Sequence, residues 1–440
     1  MSGAVKALWS SRVVQAVLLL LVVGLLGVRF VRGPMSDAGL NWDFANFYNV
    51  GARMLCGESG NIYKYDSPVC GQPPELDNRA EYVGFPLSAY FFTPLGAFAP
   101  RTSIAIFKAF CLLCYAAGFA LLYLHFARRA AGGARFDLHP TVYLFMVLFF
   151  EPAWRILPIG GQSTAMVFLL LVLFLRAFTA KRYWMAAIFL SVAGILKPFL
   201  ATVALAFLLA RNWQFLAALL ATSGLEALLS LFLFGWKTHV EWFKIVLQES
   251  SRWAIPWWYH TSITGILGNV WIYLQHPADI WAPMPASLRI AQSICRILLV
   301  LVLAYAVRKQ SLSDWPDDEK QHYLVCWGIV FALSFPGIVW EHYWAFLFIP
   351  LMYFFAQFHA LPRSVQALAV LAAVLTLRAR KTFAFDIDAR FLKMDNLFEV
   401  LGVSLYGCAT LILVLVALLR WPPRADGFQR RLPDGVAKPI

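Results

Sequence analysis

Residues 183–210 read YWMAAIFLSVAGILKPFLATVALAFLLA and carry a single charged side chain, Lys197. Apolar residues surround the helix axis here instead of marking one stripe, so no side of such a helix faces water. At this length the stretch reads as membrane-spanning, not as a half-buried helix of a soluble domain. Lys197-Pro198 divides it. Proline lacks an amide donor and ends or kinks a helix, so the stretch is either one broken span or two short helices meeting at that point.

The rest of the chain repeats the pattern. Of 440 residues, 60% are hydrophobic and 14% charged, against about 25% charged in an ordinary soluble domain. At about 20 residues per span, the apolar residues suffice for about a dozen transmembrane helices. A soluble enzyme, a disordered chain, a collagen-like chain and a disulfide scaffold are excluded. An outer-membrane barrel is excluded too, because its strands alternate apolar and polar residues. The 16% aromatic content, with 17 Trp, suits interfacial belts. The net charge of +13 sits mostly in short clusters between apolar runs. That is the pattern of membrane orientation, and no basic stripe interleaved with aromatics points to nucleic acid.

Apolar runs fall at about 12–32, 103–127, 139–157, 162–180, 183–210, 213–235, 286–307, 322–340, 343–361, 364–378 and 396–420, with a weaker stretch at 262–275. Lys6 and Arg12 precede the first run and no small-residue cleavage site follows it, so an uncleaved first helix is expected. The fold expected is an all-α integral membrane protein, a polytopic bundle of about 11–13 transmembrane helices forming one domain over 1–420. Arg128-Arg129, Lys181-Arg182, Arg211, Arg308-Lys309, Arg363 and Arg420 then share the cytoplasmic side with a polar tail, 421–440. The long intervals 33–101 and 236–285 become extracytoplasmic loops, the first apolar enough to contain interfacial helices. Arg378, Arg380, Lys381, Arg390 and Lys393 break the charge rule by falling on the outer side. Cys111, Cys114, Cys295, Cys326 and Cys408 lie in apolar runs as packing residues, while Cys56 and Cys70 share the first loop and can pair if that side is oxidising.

Several polar residues collect on the outer side. Asp43 stands alone among aromatics in Asn41-Trp42-Asp43-Phe44-Ala45-Asn46-Phe47-Tyr48. A partly desolvated carboxylate there has the tuning of a general base; it also suits a helix cap, with Trp42 and Tyr48 as interface anchors. Gly160-Gly161-Gln162-Ser163 opens a helix, and Gln162 offers both donors and acceptors, although the glycines also explain a plain turn. Lys197 inside an apolar run is a functional candidate by default, or a snorkelling side chain at a helix end. His260, in Trp257-Trp258-Tyr259-His260, and His342, in Trp340-Glu341-His342-Tyr343, are placed to bind a phosphate or orient a hydroxyl. No metal-ligand spacing, P-loop or dinucleotide motif occurs, so no cofactor or metal is expected.

Taken in order, Asp43-Phe-Ala-Asn-Phe-Tyr48, Gly57, Tyr63, Phe85-Pro86-Leu87, Pro94-Leu95, Gly161-Gln162, Leu196-Lys197-Pro198 and Trp340-Glu341-His342-Tyr343 resemble glycosyltransferase family 87, membrane enzymes of the GT-C superfamily. The resemblance covers about 300 residues. It departs at Phe85-Pro86-Leu87, where the family often has Tyr-Pro-Pro, and the last hundred residues match no motif. It implies transfer of a mannose-like or arabinose-like sugar from a polyprenyl-phosphate monosaccharide to a lipid or cell-envelope glycan. It places that transfer outside the cytoplasmic membrane, with inversion and with Asp43 as base. Tyr48, Gln162, Lys197, His260, His342, Arg378 and Arg380 are then the substrate-binding candidates. The alternative is a transporter or flippase of a lipid-linked substrate. That reading calls for broken helices at mid-membrane with repeat symmetry; Lys197-Pro198 is the one strong feature of the kind, and no repeat is evident.

Overall fold

The computed structural model describes residues 43–64, 67–70, 82–131, 140–150, 152–154, 161–245, 262–268, 285–337, 339–376 and 397–421, with Val17, Leu20, Gly24, Leu76, Leu138 and Trp271. His260, Arg378, Arg380, most of the first apolar run, much of the second loop and the tail beyond Trp421 lie outside the described residues.

Helices account for the regular structure of the described residues, which contain no strand. In chain order they are α1 (Asp43–Leu55), α2 (Pro100–Ala131), α3 (Pro140–Phe149), α4 (Thr164–Thr179), α5 (Tyr183–Leu196) and α6 (Ala204–Leu209). There follow α7 (Trp213–Trp242), α8 (Ala286–Ser311), α9 (Asp317–Ser334), α10 (Phe348–Ala356), α11 (Arg363–Thr376) and α12 (Leu397–Arg420). Short 3-10 turns at Pro86–Ser88, Thr93–Ala97, Pro198–Val203 and Glu341–Leu347 join them.

Side-chain pattern sorts these helices into centre and rim. Every residue of α9 from His322 to Ser334 is buried, which suits a helix that is apolar all round. α4 is nearly as enclosed and packs between α2 and α5. α7 and α8 form the rim. Leu220, Leu225 and Phe232 on α7, and Ile290, Ile297 and Leu301 on α8, are more than half exposed. Such apolar surface is stable against lipid and not against water. Among the described residues, three helices are long and apolar enough to cross a membrane: Pro100–Arg128 within α2, Trp213–Ile245, which takes in α7, and Ala286–Ser311. Six further apolar segments are shorter.

The stretch 183–210 resolves into two pieces. α5 ends at Leu196, and the chain resumes as a 3-10 turn with Pro198 in its first position. The helix read as 213–235 runs on to Trp242, although Gly235 adopts φ 73° and ψ 166° within it. Glycine tolerates that geometry, and His239 bridges the break, its Nδ1–H donating to the Gly235 carbonyl at 2.8 Å. In the first loop, α1 packs into the bundle. Phe44 to Gly51 are all buried, and α1 packs against the Thr93–Ala97 turn and α2. Arg53 gathers the following loop, donating to the carbonyls of Lys64 and Ser67 at 2.7 Å and pairing with Glu58 at 3.3 Å. Cys56 and Cys70 form a disulfide across the same loop, with Cα atoms 5.8 Å apart. The other five cysteines form no disulfide among the described residues, and four of them are buried.

Candidate active site

Four helix ends converge on one polar group. Asp43 is the first residue of α1. Gln162 stands before α4, immediately after Gly161, whose φ of 55° turns the chain into the helix. At that φ a side chain at Gly161 would be strained, with its Cβ in ordinary contact with Phe44 and Phe107. Lys197 lies between α5 and the next turn, where Pro198 stops the helix and an extended backbone (φ −140°, ψ 88°) reverses the chain. His342 and Tyr343 sit in the turn Glu341–Leu347.

The side chains form a continuous line. Gln162 Nε2 donates to Asp43 Oδ2. Lys197 Nζ donates to Gln162 Oε1 at 3.1 Å and to the Tyr343 hydroxyl at 3.0 Å. The ammonium also lies 4.6 Å from the Tyr343 ring centre, within cation–π range. Phe199 stacks on that ring at 5.0 Å, and the His342 ring stands edge-on to it at 4.4 Å. Gln162 therefore separates the carboxylate from the ammonium instead of letting them pair directly. Both ends of its amide are used, and two of the three ammonium donors are used. Burial pushes the Asp43 carboxyl above its ordinary value, and the charge of Lys197 pulls it partway back.

Among the described residues, three buried polar atoms close in sequence to this line have no partner: His342 Nε2, Asn46 Oδ1 one turn along α1 from Asp43, and Thr164 Oγ1 two residues from Gln162. Leaving a buried polar atom unpaired costs about 1–3 kcal/mol, a cost that a polar ligand bound here would relieve. The Phe85-Pro86-Leu87 motif borders the same place, since the Phe85 amide donates to the Ile195 carbonyl at 3.1 Å, two residues before Lys197.

A model of glycosyltransferase family 87 matches residues 82–316, more than half of the chain. The chain belongs to glycosyltransferase family 87. It is accordingly a membrane glycosyltransferase, which moves a sugar from a donor to an acceptor. No curated protein and no solved structure matches it.

Of the residues that sequence reading singles out in this family 87 transferase, the structure brings together Asp43, Gln162, Lys197 and His342. Tyr48 is on the same helix as Asp43, but its hydroxyl donates to the Phe98 carbonyl at 3.1 Å and so anchors the loop. Sequence reading misses Tyr343 as a site residue, although it adjoins His342 in the quoted motif. It also misses Asn46, which only its spacing of three from Asp43 on a helix could have brought forward.

Proposed function

We propose that this transferase takes its sugar from a polyprenyl-phosphate monosaccharide and passes it to a lipid or glycan hydroxyl, with Asp43 as general base. The observation that carries the reading is the line Asp43–Gln162–Lys197–Tyr343, with unpaired buried polar atoms close to it in sequence. One end can take up a proton and the other can receive a phosphate.

The reaction balances with these groups. The ionised Asp43 carboxylate accepts the proton of the acceptor hydroxyl. That oxygen bonds to the anomeric carbon from the face opposite the phosphate, which inverts the configuration. The bond from anomeric carbon to phosphate oxygen breaks, and its electron pair leaves on the phosphate. The transition state is oxocarbenium-like, so the donors that receive the leaving charge must be in place beforehand. Lys197, with a donor to spare, and His342 fill that role.

Depth supports a lipid-borne donor. α5 has 14 residues, about 21 Å of helix against a hydrocarbon core about 30 Å thick. Lys197 at its end thus lies below the outer boundary, within reach of a phosphate on a membrane lipid. An apolar groove of about 190 Å³ runs between α3, α10 and α11 and is lined by Phe150, Phe348, Leu351 and Val370 among others. Phe348 follows the His342 turn directly, so a prenyl chain has an apolar wall beside the site. The charge pattern supports a site on the outer side of the cytoplasmic membrane, and the family resemblance favours a mannose-like or arabinose-like sugar.

The test uses membranes expressing the chain, supplied with labelled polyprenyl-phosphate sugars. Asp43→Asn should lower transfer by about 10²–10⁴-fold at equal protein level. Equal transfer by the variant would remove Asp43 from the mechanism. No transfer by either protein across several donors would favour a transporter or flippase. His260→Ala, Arg378→Gln and Arg380→Gln belong in the same assay, with a raised KM for donor expected of any that holds the phosphate.

A further inference from the structure

α8 is a membrane-crossing helix on the rim, and it carries one guanidinium far from either end. Arg296 lies fourteen residues before Gln310, about 21 Å along the helix. Gln310 is fixed near the start of α9, where its Nε2 donates to the Lys320 carbonyl at 3.0 Å. The α4–α5 turn is fixed at the same end, where Lys181 Nζ pairs with Asp317 at 3.1 Å. Measured from that shared end, Arg296 stands at the depth of Lys197, itself about 21 Å up α5.

The side chain points inward along the seam between α8 and α9. Its Nε–H donates to the Phe335 carbonyl at 3.3 Å, just past the end of α9. Its Nη2 lies against Gly337, where an added Cβ would stand 3.3 Å away. Gly337 precedes His342 by five residues, a reach of at most about 17 Å. Gln292, one turn earlier on α8, donates to the Thr264 carbonyl at 3.3 Å, and Thr264 Oγ1 in turn donates to the Pro336 carbonyl at 2.6 Å. The carbonyls near the guanidinium are thus tied down, and among the described residues Nε makes its only hydrogen bond.

Around Arg296 on the same helix, Ile290, Ile294, Ile297, Leu298 and Leu301 are all exposed, an apolar surface suited to lipid. A permanently charged guanidinium at this depth is costly unless it meets an anion or a run of carbonyls. One carbonyl bond leaves most of its fork free, and the fork matches phosphate geometry. An anion reaching it from the lipid face must itself be carried on a lipid.

We propose that Arg296 binds the phosphate of the prenyl-linked donor as it enters between α8 and the loop before His342, and positions it for Lys197. This rests on the lipid-donor reading above. Arg296 is a positioning residue here, since the departing charge falls on Lys197 and His342.

The experiment measures thermal unfolding of the full chain in detergent with three probes: a short-chain isoprenyl phosphate, inorganic phosphate, and phosphatidylglycerol. Wild type should be stabilised by the isoprenyl phosphate, by several degrees, and little by the other two. Arg296→Gln should lose most of that shift, and Arg296→Lys should keep part of it. In the transfer assay Arg296→Gln should raise the donor KM about tenfold or more while leaving kcat within a few-fold. An unchanged shift in Arg296→Gln overturns the proposal, as does an equal shift with inorganic phosphate or phosphatidylglycerol. If Arg296→Gln unfolds at a much lower temperature without any probe, the Arg296→Lys series carries the comparison, and an unchanged shift and KM there count against the site. The base reading fails separately, through Asp43→Asn, because prenyl-phosphate binding does not require a working carboxylate.

Discussion

At Asp43 two influences oppose each other: burial favours the neutral acid, and the ammonium of Lys197 favours the carboxylate. Burial prevails, so the carboxyl titrates above its usual value of 3.8. A general base works only when ionised, so transfer should fall as pH drops through this raised pKa, with the acid limb shifted upward from that of an ordinary aspartate. Replacing Lys197 with Gln removes the influence that lowers the pKa. The limb of Lys197→Gln should therefore move to still higher pH, and the plateau rate should fall by about 10²-fold through loss of leaving-group stabilisation. Rate–pH profiles of the two proteins decide it; an unmoved limb would disconnect the two charges. Gln162 is the residue through which they are coupled, and its place shows in the sequence only as a polar residue after two glycines.

Among the elements, the first loop matters most, because α1 has to present Asp43 inward. α1 is held by close backbone contact: a Cβ on Gly51 would run into the Phe92 carbonyl, and one on Gly96 into the backbone of Ala52. The far end is fastened by Arg53 and by the disulfide between Cys56 and Cys70, which closes a loop with a sequence separation of 14. Closing a loop of that length contributes about 3 kcal/mol, roughly a hundredfold in the population of the opened loop. Cys56→Ser with Cys70→Ser should therefore make the loop much more sensitive to added protease, while α9 and α4 stay protected. Equal cleavage with and without the disulfide would mean that Arg53 alone holds the loop. The turn at Gly161 gives a second test. Gly161→Val forces a β-branched residue to φ near 55°, displaces Gln162, and should lower kcat at least tenfold with little loss of expressed protein.

For the whole molecule, the polar site gathers at one end of the short helices and the ion pair Lys181–Asp317 at the other. On the proposed reading, the distribution of Lys and Arg turns the first end outward. A thiol reagent that cannot cross membranes should label reduced Cys56 or Cys70 in intact cells, and a reporter fused after residue 440 should be active only in the cytoplasm. The reverse pattern would invert the topology and would put a prenyl-phosphate donor on the wrong side.

What the sequence by itself determined was local. Apolarity on all sides of a helix is a property of neighbouring residues, so the membrane class, the positions of the runs and the break at Lys197-Pro198 could be read directly. The likeness of several short motifs pointed to family 87, and a family model matching residues 82–316 agrees. The tertiary structure alone decided that residues 43, 162, 197 and 343, up to 146 positions apart along the chain for a single bond, share one hydrogen-bonded line. It also decided that Tyr48 faces a loop carbonyl, and that Arg296 meets the end of α9. The physical reason is that such meetings depend on where short helices stop and which ends pack together, and no window of neighbouring residues records that.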